Sequence, residues 1–278
     1  LQARLSARWR TRGPVRWDGM EPVLLAPGEE FLKVLNAHLP RLQQELSRPD
    51  LTSRQRQEVS EFIEGIHLGT TNRLYRRLGW MPRAHLTTVG GRWMLPLYHD
   101  GYSVSIVALS DDQGRSWRPS APIVGLGNVQ PSLTVRRDGS AVAWMRDNGP
   151  PPHRLLRAES RDRGETWTPA VDSEIPNPGS GAEVRVLRSG EWIFIGNDVE
   201  NGRHSLAVWM SQDEGETWGF RRRLVEAQAG QGSFSYPSLL EARDGWLHAT
   251  WSEAIGGQET IRHARFNRAW IRSAGLDP

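Results

Sequence analysis

Between residues 83 and 253 the chain sets out side chains of the kinds that grip an anion and move a proton. Arg83, Arg146 and Arg203 supply guanidinium groups, whose planar fork matches a carboxylate through paired N–H donors. Asp100, Asp147, Glu183 and Glu253 supply carboxylates for proton transfer, His99 an imidazole and Tyr236 a phenol. Gln130 adds a neutral amide. These residues are scattered over more than half of the chain. They make a site only if the fold returns each segment to one place.

A repeat supplies such a fold. The octapeptide S-x-D-x-G-x-[ST]-W occurs at 110–117, 160–167 and 211–218, with starts 50 and 51 residues apart. An Asp accepts hydrogen bonds from nearby backbone N–H groups, Gly supplies a positive φ, and the Trp folds back over the turn. The rest of each period repeats as well. Second strands are predicted at 93–98, 141–145, 191–195 and 246–251, each near a turn glycine (Gly91, Gly139, Gly190, Gly245). Third strands are predicted at 103–109, 155–160, 205–210 and 260–266, the last without an octapeptide after it. Four periods of about 50 residues, each a four-stranded meander, are the mark of an all-β propeller.

In a propeller blade the first strand begins near the central axis, and the loop between the second and third strands shares that face. Arg83, Gln130, Glu183 and Tyr236 fall at or near first-strand starts. His99, Asp100, Arg146, Asp147, Asp198 and Glu253 fall at second-strand ends, and Arg203 begins a third strand. The topology therefore predicts that they converge on one face, as a binding or catalytic site requires.

Residues 1–79 stand outside the repeat. A helix is predicted over 52–78, with Thr52 and Gln55 as a capping box and Val59, Phe62, Ile63 and Ile66 on one face. A second helix is predicted over 31–46, broken at Pro40. The segment reads as a largely helical insertion packed on a propeller that occupies 80–278. Residues 1–29 are an alternative source of closing strands.

Composition narrows the classes of function. The 278 residues include no Cys, which excludes disulfides and thiolate metal sites. No apolar run approaches 18 residues, so no helix is expected to span a membrane. A net charge of +3 with scattered basic residues gives no nucleic-acid footprint. No phosphate loop or metal constellation stands out, so neither a cofactor nor a metal is expected. Residues 1–20 carry five Arg and no apolar stretch of signal-peptide type, and the cellular location stays open.

The octapeptide is the Asp box, and the chain over residues 80–271 resembles the sialidase (neuraminidase) superfamily, most of all its bacterial branch with BNR repeats. The resemblance implies a sialidase-like propeller of six blades, of which about four are visible here. It implies removal of terminal sialic acids with retention of configuration, using three arginines, a tyrosine nucleophile with a glutamate partner, and an aspartate as acid/base. It also implies that Asp112, Asp162 and Asp213 of the boxes are structural. Arg146 ends a stretch, Asp138-Gly139-Ser140 onward, that is similar to the one leading to a triad arginine. Arg203 enters an Asp box as the third arginine does. Tyr236-Pro-Ser-Leu239 resembles the nucleophile strand. Arg83 stands near the first arginine's place, although the family's Arg-Ile-Pro is absent.

Gln130 departs from the pattern, since it occupies the place of the tyrosine-activating glutamate and an amide takes no proton. Glu183 and Glu253 are the candidate replacements. Asp100 is the nearest match for the acid/base, with Asp147 second. The resemblance leads to a glycoside hydrolase that releases a terminal sialic acid or a related 2-keto-3-deoxy sugar acid, with an acidic carbohydrate as its partner. Two alternatives stand beside it. One is a polysaccharide lyase on the same propeller, with His99 as base and Tyr236 as acid. The other is a glycan-binding propeller without catalysis.

Overall fold

A computed structural model describes residues 6–7 and 21–273, with side chains from residue 23 onward. Four antiparallel meanders form four blades. The first blade has a divided inner strand (Met81–Pro82 and Thr87–Val89) followed by Arg92–His99, Val104–Ser110 and Arg118–Pro119. The second is Asn128–Val135, Ala141–Asp147, Arg154–Ser160 and Val171–Pro176. The third is Glu183–Val186, Trp192–Gly196, Ser205–Ser211 and Phe220–Glu226. The fourth has three strands, Gly232–Glu241, Leu247–Ile255 and Gln258–Phe266.

Middle strands of the second and third blades are largely buried on both faces, because these two blades pack between two neighbours, whereas the last strand of the fourth blade is mostly exposed. Trp192–Gly196 and Ser205–Ser211 are buried along their whole length, which explains their nearly continuous apolar sequence. Met94, Val107 and Leu109 meet Leu133, Ala143 and Met145 between the first two blades. Trp144 meets Phe194, Trp209 and Trp218 between the second and third. Ile193 and Val208 meet Phe234 and Trp251 between the third and fourth.

The three Asp boxes are built alike. In the first, the Asp112 carboxylate accepts from Ser116 N at 2.9 Å and Ser116 Oγ at 2.6 Å, while Ser110 Oγ accepts from Gly114 N at 2.7 Å. Hydrogen bonds from Ser116 hold the Asp112 carboxyl down at about 2. Two consecutive residues take positive φ in each box, 60° at Gln113 and 85° at Gly114 in the first, which is why glycine occupies the second place. The Asp162 and Asp213 carboxylates close their turns in the same way. Arginines tie each inner-strand turn to the next blade: Arg92 reaches Glu165 at 2.7 Å and Arg136 reaches Glu216 at 2.9 Å.

The N-terminal segment forms helices α1 (Glu29–Leu46), α2 (Ser53–Thr71) and α3 (Arg73–Arg77). The predicted break at Pro40 does not occur. Pro40 and Asn36, whose carbonyl loses its partner, both face solvent, so water replaces the missing bond. Phe31, Leu35 and Leu42 on the opposite face hold the helix down. The helix predicted over 52–78 is divided instead at Asn72, whose side chain accepts from Leu74 N and Tyr75 N and starts α3. The Thr52–Gln55 capping box is present. Phe31, Leu35, Leu42 and Ile66 pack on Leu97, Val104, Ile106 and Ala108, the side of the first blade turned away from the second. Ser6–Ala7 pairs with Glu21–Pro22 as a separate two-stranded ladder, so these residues close no blade. The other residues of the suggested closing segment before Glu21 lie outside the described residues. Helix α4 (Arg268–Ser273) is pinned by Glu191 through Arg268 and Arg272.

Candidate functional site

Two inner strands carry the same irregularity at the same place. Gln130 and Tyr236 each precede a proline and each take positive φ, 55° and 53°. In both strands the pairing register slips there, between Val129 and Ser132 and between Ser235 and Ser238. A left-handed non-glycine residue in a bulge is costly, of order 1–3 kcal/mol, and persists where the surroundings impose it. Both bulges serve one spot. A Cβ placed on Gly181 would lie 2.7 Å from Gln130 Oε1, 3.0 Å from Arg83 Nε and 3.3 Å from Tyr236 Cδ1. Three blades thus bring Arg83, Gln130 and Tyr236 around one glycine of the loop before the third blade.

The other two arginines gather on the same loop. Arg203 Nη2 donates to Gly179 O at 2.8 Å, and a Cβ on Gly179 would stand 4.0 Å from Arg146 Nη2. The Arg83 and Arg203 guanidinium carbons lie 5.9 and 5.5 Å from the centre of the Tyr236 ring. Arg83 Nη2 donates to Pro237 O at 2.7 Å. Burial lowers the pKa of the Arg83 guanidinium from its ordinary value, against the attraction of Glu183, Tyr236 and Tyr98. Among the described residues, Arg83 Nε, Arg146 Nε, Gln130 Oε1 and Ser180 Oγ are buried with no hydrogen-bond partner. Leaving such groups unpaired costs roughly 1–3 kcal/mol each.

Glu183 is nearly sealed, at 2% exposure, and already engaged. It faces His85 Nδ1 at 3.0 Å and accepts from Leu239 N at 3.1 Å. Burial pushes its carboxyl up, but His85, Arg185 and the Leu239 amide outweigh burial and leave it below the ordinary range. Glu253 is held by Arg262 Nε at 2.7 Å. With Tyr236 and Arg203 it lines an open cleft of about 480 Å³.

A second cleft, of about 470 Å³, also borders Arg203. Arg146, Asp147 and Arg203 form one wall, and Thr52, Arg54, Gln55 and Glu58 of the α2 N-terminal end form the other. Burial pushes the Asp147 carboxyl up to about 7, although it accepts from Gly149 N at 2.7 Å and Arg154 N at 3.2 Å.

The remaining predicted residues lie apart. His99 stacks on Tyr102 at 4.1 Å and is enclosed by Tyr75 and Trp80, between the helices and the first blade. Its Nδ1 accepts from Gly101 N at 3.0 Å, and burial brings its pKa down to about 4, so the ring is neutral. Asp100 is exposed in the turn beyond it. Asp198 is bound to Ser205 Oγ and Arg223 Nε. Sequence reasoning missed His85, Tyr98 (3.5 Å from Gln130 Nε2) and the loop of Gly179, Ser180 and Gly181. His85 lies in the bend between the two pieces of the divided inner strand, where no strand alternation marks it. Among the described residues no group of three or more metal-ligating side chains is present, and no helix is long and apolar enough to cross a membrane.

With this geometry in view, the comparisons with known proteins agree on the fold. Residues 64–249 match the model of the BNR repeat-like domain, and the chain belongs to that family. No curated protein matches it in sequence. Among solved structures, the Ruminococcus gnavus intramolecular trans-sialidase is similar at 18% identity, over 67% of this chain and 44% of its own, with a TM-score of 0.55. The leech intramolecular trans-sialidase is similar at 16% identity, over 70% and 32%, with a TM-score of 0.55. The NanB sialidase of Streptococcus pneumoniae is similar at 15% identity, over 71% and 32%, with a TM-score of 0.57. The chain thus spans about a third to under a half of these proteins and shares the sialidase-like propeller fold with them.

Proposed function

We propose that the protein is a sialidase-like glycoside hydrolase that releases a terminal sialic acid, or a related 2-keto-3-deoxy sugar acid, from a glycan. The observation that supports this best is the placing of Arg83 and Arg203 beside the Tyr236 ring, with Arg146 near Gly179 of the loop that Arg203 holds and buried Nε groups without a partner on Arg83 and Arg146. A 2-keto sugar acid carries its carboxylate on the anomeric carbon. Three guanidinium groups would hold that carboxylate, and a neutral phenol would approach the carbon without the repulsion a carboxylate nucleophile meets.

Tyr236 Oη attacks the anomeric carbon as the bond to the departing oxygen breaks, and that oxygen takes a proton from an acid. Water then displaces the tyrosine oxygen. Glu253 shares the cleft of Tyr236 and is the base for its phenol, whereas Glu183 is committed to His85 and Leu239. Asp147 is the acid: it lines the cleft beside Arg146 and Arg203, and a carboxyl near 7 is about half protonated at neutral pH and more so below it.

The test is release of fluorophore from an α-sialoside by the parent, Tyr236→Phe and Arg146→Ala. The expected result is turnover by the parent and a loss of at least about 100-fold in each variant. A folded parent without turnover overturns the hydrolase. One observation favours a second reading, a sugar-acid-binding propeller without catalysis: the neutral Gln130 beside Arg83 and Tyr236. Saturable binding of the free acid without turnover is its signature. The lyase reading lacks comparable support, because the ring of His99 is enclosed among aromatic side chains.

A further inference from the structure

The N-terminal helices do more than cover the first blade. Helix α2 begins directly across a cleft from Arg146 and Arg203. Its first turns present Arg54 and Glu58, paired at 3.1 Å, toward that cleft. The Arg54 side chain is 89% exposed, and only its Nε is engaged by Glu58. The facing wall holds Asn148 and His153, and Arg146 there has a buried Nε without a partner. The 470 Å³ between the walls is room for a further sugar ring.

We propose that this cleft binds the sugar to which the acidic residue is attached, and that Arg54 and Glu58 determine which glycan the site accepts. The inference rests on the sugar-acid reading of Arg83, Arg146, Arg203 and Tyr236. Arg203 borders both clefts, and in this proposal the sugar-acid ring sits in the Tyr236 cleft and its departing oxygen in the cleft bordered by the helix. Asp147 lies on that second side, where a proton donor to the departing oxygen has to be.

The chemistry of the wall selects a neutral sugar. Glu58 repels a second carboxylate, and Arg54 already has an anion beside it. An arginine–glutamate pair instead offers donors and acceptors together, which is what vicinal hydroxyl groups require. Gln55 contributes structure rather than contact, since its Oε1 accepts from Thr52 N at 2.8 Å in the capping box.

The experiment compares binding of N-acetylneuraminic acid and of 3'-sialyllactose by titration calorimetry, using the whole chain with Tyr236→Phe to prevent turnover. The expected result is binding of the free acid and at least about 10-fold tighter binding of the trisaccharide. That ratio falls toward one in Arg54→Ala and in Glu58→Ala. A ratio that is the same with and without these side chains overturns the helix wall and leaves the sugar-acid site standing. Absence of binding by the free acid and the trisaccharide overturns the site and the wall together. Thermal midpoints within a few degrees of the parent show that the variants are folded, and the conservative Glu58→Gln should retain part of the ratio.

Discussion

At the scale of single residues, the candidate site depends on a side chain that is missing. Gly181 is the one place where Arg83, Gln130 and Tyr236 approach together, and a methyl group there would press on all three. The atoms it meets belong to side chains, not backbone, so the added methyl displaces the site residues and leaves the backbone in place. Gly181→Ala is expected to weaken binding of N-acetylneuraminic acid by about 10-fold or more, the range of overpacking costs of ~1–3 kcal/mol, with a small change in thermal midpoint. Calorimetric titration beside a melting curve checks both halves. Asp147 gives a second expectation. Its folded carboxyl ionises near 7 against an ordinary 3.8, so between those values the folded chain keeps a proton that the unfolded chain has released. Stability therefore falls as pH rises through that window and levels off above it. The gap of about three units sets the scale at ~4 kcal/mol. Asp147→Asn should flatten the slope of the urea midpoint between pH 4.5 and 7.5. If Asp147 is the acid, turnover by the parent also declines above about pH 7 as the proton leaves. The arginines and Tyr236 were named in the sequence because the segments around them resemble the family's motifs, and the structure brings Arg83 and Arg203 to the Tyr236 ring. Gly181 and His85 were not, because their neighbours come from other blades and no local pattern records them.

At the scale of elements, the Asp box is a stabilising turn whose Asp needs only its own neighbours. Asp162 accepts from Thr166 N at 3.0 Å, from the Thr166 hydroxyl and from Ser160 Oγ at 2.7 Å. Burial pushes its carboxyl up, but these hydrogen bonds outweigh burial and hold it below the ordinary range. Asp162→Ala removes the acceptor and is expected to cost about 1–3 kcal/mol, with a lower urea midpoint and an unchanged denaturant slope. Asp162→Asn keeps one acceptor oxygen and should recover part of the loss. An unchanged midpoint in the alanine variant would mean that the turn holds itself. The three boxes and the glycine turns made the blades readable from sequence, since turn chemistry is local and repeats. Helix limits were less readable. Pro40 is a helix breaker by its own chemistry, yet α1 continues because its exposed face loses the bond and its buried face keeps Phe31, Leu35 and Leu42 in place. Asn72 divides the second helix by capping a new one, a choice that the apolar spacing does not encode.

At the scale of the whole molecule, helix α2 both packs on the first blade and borders the cleft of Arg146 and Arg203. Helix α2 lies so close to the first blade that a Cβ on Gly65 would stand 2.4 Å from Gly101 O and 2.8 Å from Tyr102 Cα. These are backbone atoms, so Gly65→Ala must lift the helix away instead of moving a side chain. Alanine gains about 1 kcal/mol of helix propensity over glycine, and overpacking against backbone costs as much or more, so the net change is destabilising. The displacement also carries Arg54 and Glu58 away from Arg146 and Arg203, because the same helix bears Gly65 and the Arg54–Glu58 pair. Gly65→Ala is thus expected to lower the thermal midpoint by several degrees and to reduce the preference for 3'-sialyllactose over the free acid. Leu68→Ala on the same helix, at a side chain 43% exposed, should alter neither by much. A Gly65→Ala protein with the parent's midpoint would mean that the helix is not seated this closely. A lowered midpoint with an intact preference would separate the helix's packing from the cleft it borders.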